Sequence, residues 1–479
     1  MRRFSPGRIS AAPLAKAADA DRATGSIPAW RLGAFSLISV PIAAAGLPLA
    51  VYLPAFYAQQ AGLGLTVVGL VFLVGRLWDA FSDPLIGVLS DRTRTGFGRR
   101  RPWIAGGGVL FAAAAAALFL PPAHPGPLYL GLGLFVFYLG WTMIQIPVSA
   151  WSGTLASRYH ERSRVITYVQ TAHAAGLLLV LVIPALIDQI GAGGAKAKIT
   201  AMGVFILISL APGLIGALFA LPEPPAPPRS SRRMSFMTVA RLVLGDRLLL
   251  RVLGSDFAVT LGQTIRASLF VFFVVTYMGL PKWGALLFLL QFVFGVFAGP
   301  IWLRVGYRFG KNRTVVVAEL VQATINLGLL FISPGQFWPL LALTIAQGLS
   351  QGSGNLMLRS IVADLADRQR LATGQERSGL LFSVFSLSSK AATAAAVGLA
   401  LPLVAWLGFK PGAVNTPEAL LGLKLVFALG PALSHIVSAA LIVGFPLDER
   451  GHAEIRRALD ARDGGPALTD ALGVPFPAE

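Results

Sequence analysis

From end to end the chain alternates long apolar stretches with short polar breaks. A helix needs about 20 apolar residues to cross the hydrocarbon core of a bilayer. Such stretches cover residues 33–57, 66–90, 103–120, 128–156, 165–189, 199–221, 251–279, 284–303, 313–333, 337–363, 379–407 and 419–445. The pattern predicts an all-α membrane protein with about twelve transmembrane helices. The breaks themselves alternate in chemistry. Those after spans two, four, six, eight and ten are basic: DRTRTGFGRRRP, SRYHERSR, PPAPPRSSRRM, RVGYRFGKNR and ADRQRLATGQERS. The others, such as QQAGLGL and PPAHPGP, are short and mostly uncharged, with Lys196, Lys198, Lys282 and Lys410 as the exceptions. Lys and Arg retained on alternate connections are the asymmetry that orients bacterial inner-membrane proteins. An even number of spans then places both termini in the cytoplasm.

One stretch departs from this rhythm. Residues 222–250, opening PEPPAPPRSSRRMS, are too polar and too rich in proline to span. They divide the chain into a cytoplasmic tail (1–32), a six-helix bundle (33–221), a cytoplasmic linker (222–250), a second six-helix bundle (251–445) and a second cytoplasmic tail (446–479), whose charges suit a short amphipathic helix. Two such halves are the layout of a major facilitator fold, with a solute site between them near the midplane.

Composition sharpens the picture. Hydrophobic residues make up 55% of the chain and charged residues 13%, about half the charge of a soluble domain. The formal net charge of +18 is accounted for by the basic connections and so gives no reason to invoke nucleic acid. Without cysteine there is no disulfide, thiol nucleophile or Cys-based metal site to consider. The five histidines are scattered, and no HExxH or GxSxG motif stands in a setting that would make an enzyme. The start, with Arg2 and Arg3, has no apolar core before Trp30, so it reads as neither a secretory nor a twin-arginine signal. The expected partners are a small polar solute, a monovalent cation and membrane lipids. No cofactor is expected beyond a coupling Na⁺ or H⁺, and the chain is expected to be a monomer.

Ionisable residues inside spans are the informative ones, because each costs about 2.5–3.5 kcal/mol at a helix centre and usually marks a pathway or a pair. The second span carries Arg76, Asp79 and Asp83 in GRLWDAFSDPLIG, a spacing that puts all three on one helix face. Two carboxylates one turn apart repel unless a cation sits with them. Arg76 can offset one charge, and the remainder invites a monovalent ion. Ser82 and Thr142 offer oxygens for Na⁺, while a proton would need only one carboxylate. The plainer reading is an Arg–Asp lock between helices. In the second half Arg266 and Lys390 lie within spans. Lys390 suits either a coupling role or a pairing with Asp79 or Asp83. Arg266 suits a solute carboxylate or a salt bridge to an acid nearby. Asp256 and Glu319 lie closer to the cytoplasmic ends, and Asp188 and Lys424 are near enough to the far surface to snorkel. In the loop after span two, Asp91, Arg99, Arg100 and Arg101 around Gly96 and Gly98 suit a cytoplasmic gate.

The stretch GRLWDAFSDPLIGVLSDRTRTGFGRRRPWI resembles the signature of the glycoside–pentoside–hexuronide:cation symporters, the melibiose-permease branch of the major facilitator superfamily. IPVSAWSGTLASRYHERSRV, ADLADRQRLATGQERSG and Lys390 extend the resemblance over nearly the whole membrane part. It implies a Na⁺-, Li⁺- or H⁺-coupled symporter of a sugar, glycoside or hexuronide, working by alternating access. The cation site it implies is Asp79 and Asp83 with Thr142, and Ser82 where the branch type has Asn. Arg76 and Lys390 match a charged pair of the central cavity. Departures stand at Ala43 and Gln145, where the galactoside-binding members carry carboxylates, and at Thr154, often Glu. They argue against melibiose and leave open a lysophospholipid, carried by a similar group of the branch. A sensor or assembly factor that binds without translocating is a further alternative, which the intact carboxylates and gate loop disfavour.

Overall fold

The computed structural model describes residues 27–155, 159–191, 193–223, 236–375, 377–447 and 449–463. The expectations for the first 26 residues, for the core of the linker at 224–235, for 156–158 in the connection after span four and for the end of the second tail therefore lie outside the described residues. Every named element is a helix, as apolar stretches in lipid require, since each backbone amide must find its partner within its own segment.

The N-terminal bundle comprises α1 (Ala29–Gln59), α2 (Leu65–Arg92), α3 (Arg101–Phe119), α4 (Pro127–Thr154), α5 (Tyr159–Ile190) and α6 (Ala195–Phe219). In α1, Pro48 opens a π-helical turn over Pro48–Tyr52. Proline has no N–H to give, so the ladder loosens there. A short helix, α7 (Phe236–Gly245), precedes α8 (Arg247–Tyr277), and both begin inside the segment expected to be a polar linker. The side chain of Asp246 caps α8 by accepting from the amides of Leu248 and Leu249 at 3.0 and 3.2 Å, which explains why the helix starts there and not at residue 251. The C-terminal bundle continues with α9 (Gly284–Phe309), α10 (Lys311–Phe331), α11 (Phe337–Ser350), α12 (Ser353–Thr373), α13 (Ser378–Trp406) and α14 (Pro417–Ile442).

Among the described residues, 11 helices are long and apolar enough to cross a membrane. The tenth expected span, 337–363, is not one continuous helix. It breaks after Ser350, where Gly352 takes φ 74°, a left-handed conformation that glycine adopts without strain. Its first part, α11, has only 14 residues. Its second part, α12, runs on to Thr373 and holds Arg359, Asp364, Asp367, Arg368 and Arg370, so it absorbs much of the segment expected to be a loop. A last helix, α15 (Glu449–Asp463), docks on α12, with His452 Nε2 3.2 Å from Asp367 Oδ2.

The two bundles meet unevenly. At the end away from the basic connections they close tightly. A methyl group added at Gly69 of α2 would lie 2.8 Å from Pro402 Cδ of α13, and one at Gly398 would lie 2.9 Å from Leu73. Gln189 Nε2 donates to the carbonyl of Lys282 at 3.1 Å across the same end. One apolar core therefore runs from the N-terminal bundle into the far halves of α8, α13 and α14. At the basic end, residues of α8, α12, α13 and α14 around Leu249, Leu358, Leu381 and Ile442 form a separate core. The bundles share one core at one end, and at the other the C-terminal bundle has a core of its own.

Candidate functional site

Four side chains from α2 and α4 and one from α13 converge where the bundles meet. Asp79 is buried and Asp83 partly so, while Ser82 and Thr142 are fully enclosed. Thr142 Oγ1 lies 2.9 Å from Asp83 Oδ1 and 3.3 Å from Asp79 Oδ1. Ser82 Oγ donates to the Asp79 carbonyl at 3.1 Å and stands 3.3 Å from Thr142 Oγ1. From the opposite bundle, Lys390 Nζ reaches both carboxylates, 2.9 Å from Asp79 Oδ2 and 2.5 Å from Asp83 Oδ2. One ammonium thus bridges two acids, and the group carries one net negative charge if all three are ionised.

Two cations were open as partners of the carboxylates, Arg76 and Lys390, and the structure pairs the acids with Lys390. The Arg76 guanidinium lies 5.2 Å over the ring of Tyr138, a cation–π contact with α4. No ion pair joins it to an acid among the described residues. Lys390 from the opposite bundle occupies the position between the two acids. Gln145 is exposed and accepts from Trp141 Nε1, one turn along its own helix, so it stays outside the carboxylate cluster. Ala43 is buried.

Arg266 is 3% exposed. Its Nη1 donates to Asn326 Oδ1 at 2.9 Å and its guanidinium lies 5.2 Å over Phe427, but no described acid pairs with it. Glu319, the nearest expectation for such a pair, is taken by His435 Nδ1 at 2.6 Å. Asp256 is held by neutral groups, accepting from Ser389 Oγ at 2.6 Å and from Asn355 Nδ2 at 3.4 Å. Asp188 is paired with Lys198 at 2.5 Å, and Lys424 Nζ donates to the Ile332 carbonyl at 2.9 Å, so both are fixed near the far end.

The loop between α2 and α3 is organised by a residue that sequence reasoning passed over. The two carboxylate oxygens of Glu223, just after α6, accept from the backbone amides of Arg99 and Arg100 at 2.9 Å each. Gly98, at φ 123°, makes this possible: a Cβ there would stand 2.4 Å from Glu223 Oε2. Arg100 Nη1 donates to Thr154 Oγ1 at 2.9 Å and Arg101 Nη2 to the Leu221 carbonyl at 3.0 Å. Burial, reinforced by the neighbouring Arg99, pulls the Arg100 guanidinium below its ordinary range. Asp91 is 4.0 Å from Arg99. Among the described residues these bonds stay within the N-terminal bundle. The Glu beside two prolines in LPEPP was the signal: an acid has little reason to stand in a basic connection unless it holds something. Also unread were the amides along α8–α12, Gln291, Gln322, Asn326 and Gln347 buried and Gln263 half-buried, although polar amides within spans also call for partners.

A sequence profile described as MFS/sugar transport protein matches residues 34–449. Over 86% of this chain and 93% of its own length, an uncharacterized symporter of Synechocystis sp. is 24% identical. A glucuronide carrier protein homolog of Escherichia coli is 24% identical over 86% of this chain and 91% of its own length. The sodium-dependent lysophosphatidylcholine symporter 1-A of Danio rerio is 23% identical over 88% of this chain and 87% of its own length. Among solved structures, that of the nucleoside transporter NupG superposes with a TM-score of 0.61 at 11% identity, covering 88% of this chain and all of that one.

Proposed function

The chain belongs to the family of MFS/sugar transport proteins, and on that premise we propose that it is a secondary active symporter of a sugar-type solute, coupled to Na⁺ or H⁺. Symporters recur among its relatives, and the resemblance of the second-span motif to the glycoside–pentoside–hexuronide:cation symporters agrees with the profile. The protein is an integral membrane protein. Its basic connections argue for the bacterial inner membrane with both termini in the cytoplasm. On that orientation the end where the bundles share one core is periplasmic, and alternating access would separate them there.

The observation that carries the reading is the bridge of Lys390 across Asp79 and Asp83. Two carboxylates so close need a cation, and here the opposite bundle supplies it. A coupling ion held by Asp79, Asp83, Ser82 and Thr142 would compete with the ammonium for the same oxygens. When the ion takes over, the tie across the bundles loosens and they are free to move relative to each other. Ion and solute that favour the same state raise each other's affinity by one factor. The test is gradient-driven uptake into proteoliposomes of a panel of sugars, glycosides, uronates and lysophospholipids. Accumulation of one solute under an imposed Na⁺ or proton gradient, absent without it, supports the reading. Binding with no accumulation under either gradient would make the protein a non-transporting relative.

A further inference from the structure

Arg266 is the one described buried cation of the C-terminal bundle that meets only neutral groups. Guanidinium does not give up its charge within a protein. A buried charge is tolerated when it is paired and fully hydrogen-bonded. Arg266 is neither: its Nε and Nη2 are buried with no hydrogen-bond partner. Both lie on a guanidinium that lines a cavity of about 40 Å³ with Gln263, Gln291, Gln347, Gln351 and the ring of Phe270. The amides arrange one another. Gln291 Nε2 donates to Gln351 Oε1 at 3.4 Å, Gln347 Nε2 to Gln322 Oε1 at 3.0 Å, and Asn326 Oδ1 accepts from Arg266 Nη1. The cavity stands against the break between α11 and α12, where Gln263 bonds Asn355 in the first turn of α12. Small-molecule pockets are roughly 300–1,000 Å³, so this space admits a carboxylate head and not a sugar ring.

We propose that Arg266 anchors an anion subsite in the C-terminal bundle that takes the carboxylate of the transported solute, while the body of the solute lies towards the bundle interface. Unpartnered N–H groups in a fork match a planar carboxylate with two parallel bonds. The subsite is distinct from the Asp79–Asp83–Lys390 group, where the cation already has its anions. This rests on the symporter reading, but binding and transport separate the two.

The test uses purified full-length protein and thermal shift followed by calorimetry, with probes in matched pairs: glucuronate against glucose, and galacturonate against galactose. At least one uronate is expected to bind tighter than its neutral partner. That preference should fall about 10- to 100-fold in Arg266→Gln, the weight of a charge-assisted bond, and be partly kept in Arg266→Lys. If Arg266→Gln does not fold, Gln291→Leu and Gln351→Leu, which line the same space, should each lower the uronate preference. Uronates that bind no tighter than their neutral partners in the wild-type protein, or a preference that survives in Arg266→Gln, would overturn the subsite. Uronate binding that depends on Arg266 without any gradient-driven uptake would instead overturn the symporter reading and leave the subsite standing.

Discussion

The two halves bury charge in opposite ways. At the inner face of the N-terminal bundle two acids share one ammonium brought by the other bundle, so the group is crowded, short of positive charge and tied across the interface. In the C-terminal bundle Arg266 stands among amides with donors to spare, and nothing described crosses to meet it. A site that is already bridged exchanges one partner for another, whereas a site with unmet donors waits for one. The first arrangement suits an ion that must displace a protein group, and the second suits a ligand that arrives with its own charge.

The most severe way to break this contrast is to remove an acid. In Asp83→Asn the ammonium of Lys390 is matched by Asp79 alone, and the coupling ion loses half its carboxylate. Gradient-driven accumulation should fall at least 100-fold, with insertion and folding intact, and Asp79→Asn should behave alike. Uptake assays in proteoliposomes under imposed Na⁺ and proton gradients decide it. Wild-type accumulation in both variants would show that the cluster is a structural lock.

Removing the ammonium should have the next largest effect. Lys390→Ala leaves two facing carboxylates, and breaking a buried pair from one side costs about 3–5 kcal/mol. A cation that takes the vacated place returns part of it, by an amount that grows with its concentration over its Kd. The variant is thus expected to melt well below the wild type in K⁺ and to recover in Na⁺ or at low pH, whichever ion couples. Equal melting in all conditions would mean that no ion replaces the lysine.

Much of this was legible before any coordinates. The apolar stretches are period and composition, and all but the tenth came through as single long helices because a helix in lipid has few alternatives. The facing of Asp79 and Asp83 followed from their spacing of four. What spacing left open was long-range: whether Lys390, 311 positions from Asp79, or Arg76, three residues away, meets the acids. Helical spacing says which side chains share a face, not which of two cations the opposite bundle brings closer. The break at Gly352 was invisible for a related reason. Glycine is common in membrane helices, and only the polar character of α12 hinted that the tenth segment does not continue as one span.

A milder effect is expected at the basic end. Glu223→Gln keeps the shape but weakens the two bonds to the amides of Arg99 and Arg100. Hydrogen bonds to a charged group are worth about 1.5–3 kcal/mol, so the loop should loosen and the transport rate drop about 3- to 10-fold, with solute affinity within twofold. Gly98→Ala should do the same through its backbone. Calorimetry beside initial uptake rates separates the two quantities. Affinity lost in step with rate would place the loop in the binding site.

The smallest effect should come from Asp256, which lies between the two regions. It is buried, it accepts from Ser389, the neighbour of Lys390, and it is touched by Asn355, which also holds Gln263 at the Arg266 cavity. A chain of polar side chains therefore leads from one region to the other. Proximity alone is no evidence of coupling. Asp256 meets no cation at ion-pair distance among the described residues, and an asparagine can replace it with the same outline, because hydroxyl and amide partners both reverse roles readily. If the two regions act independently, Asp256→Asn should change solute affinity and cation affinity by less than about threefold, each measured with the other ligand absent and at saturation. The factor by which one ligand strengthens the other should then be unchanged. A coupling factor that collapses in this variant while both separate affinities hold would mean that the ion and the solute communicate through α8 and α12, not only through the relative movement of the bundles.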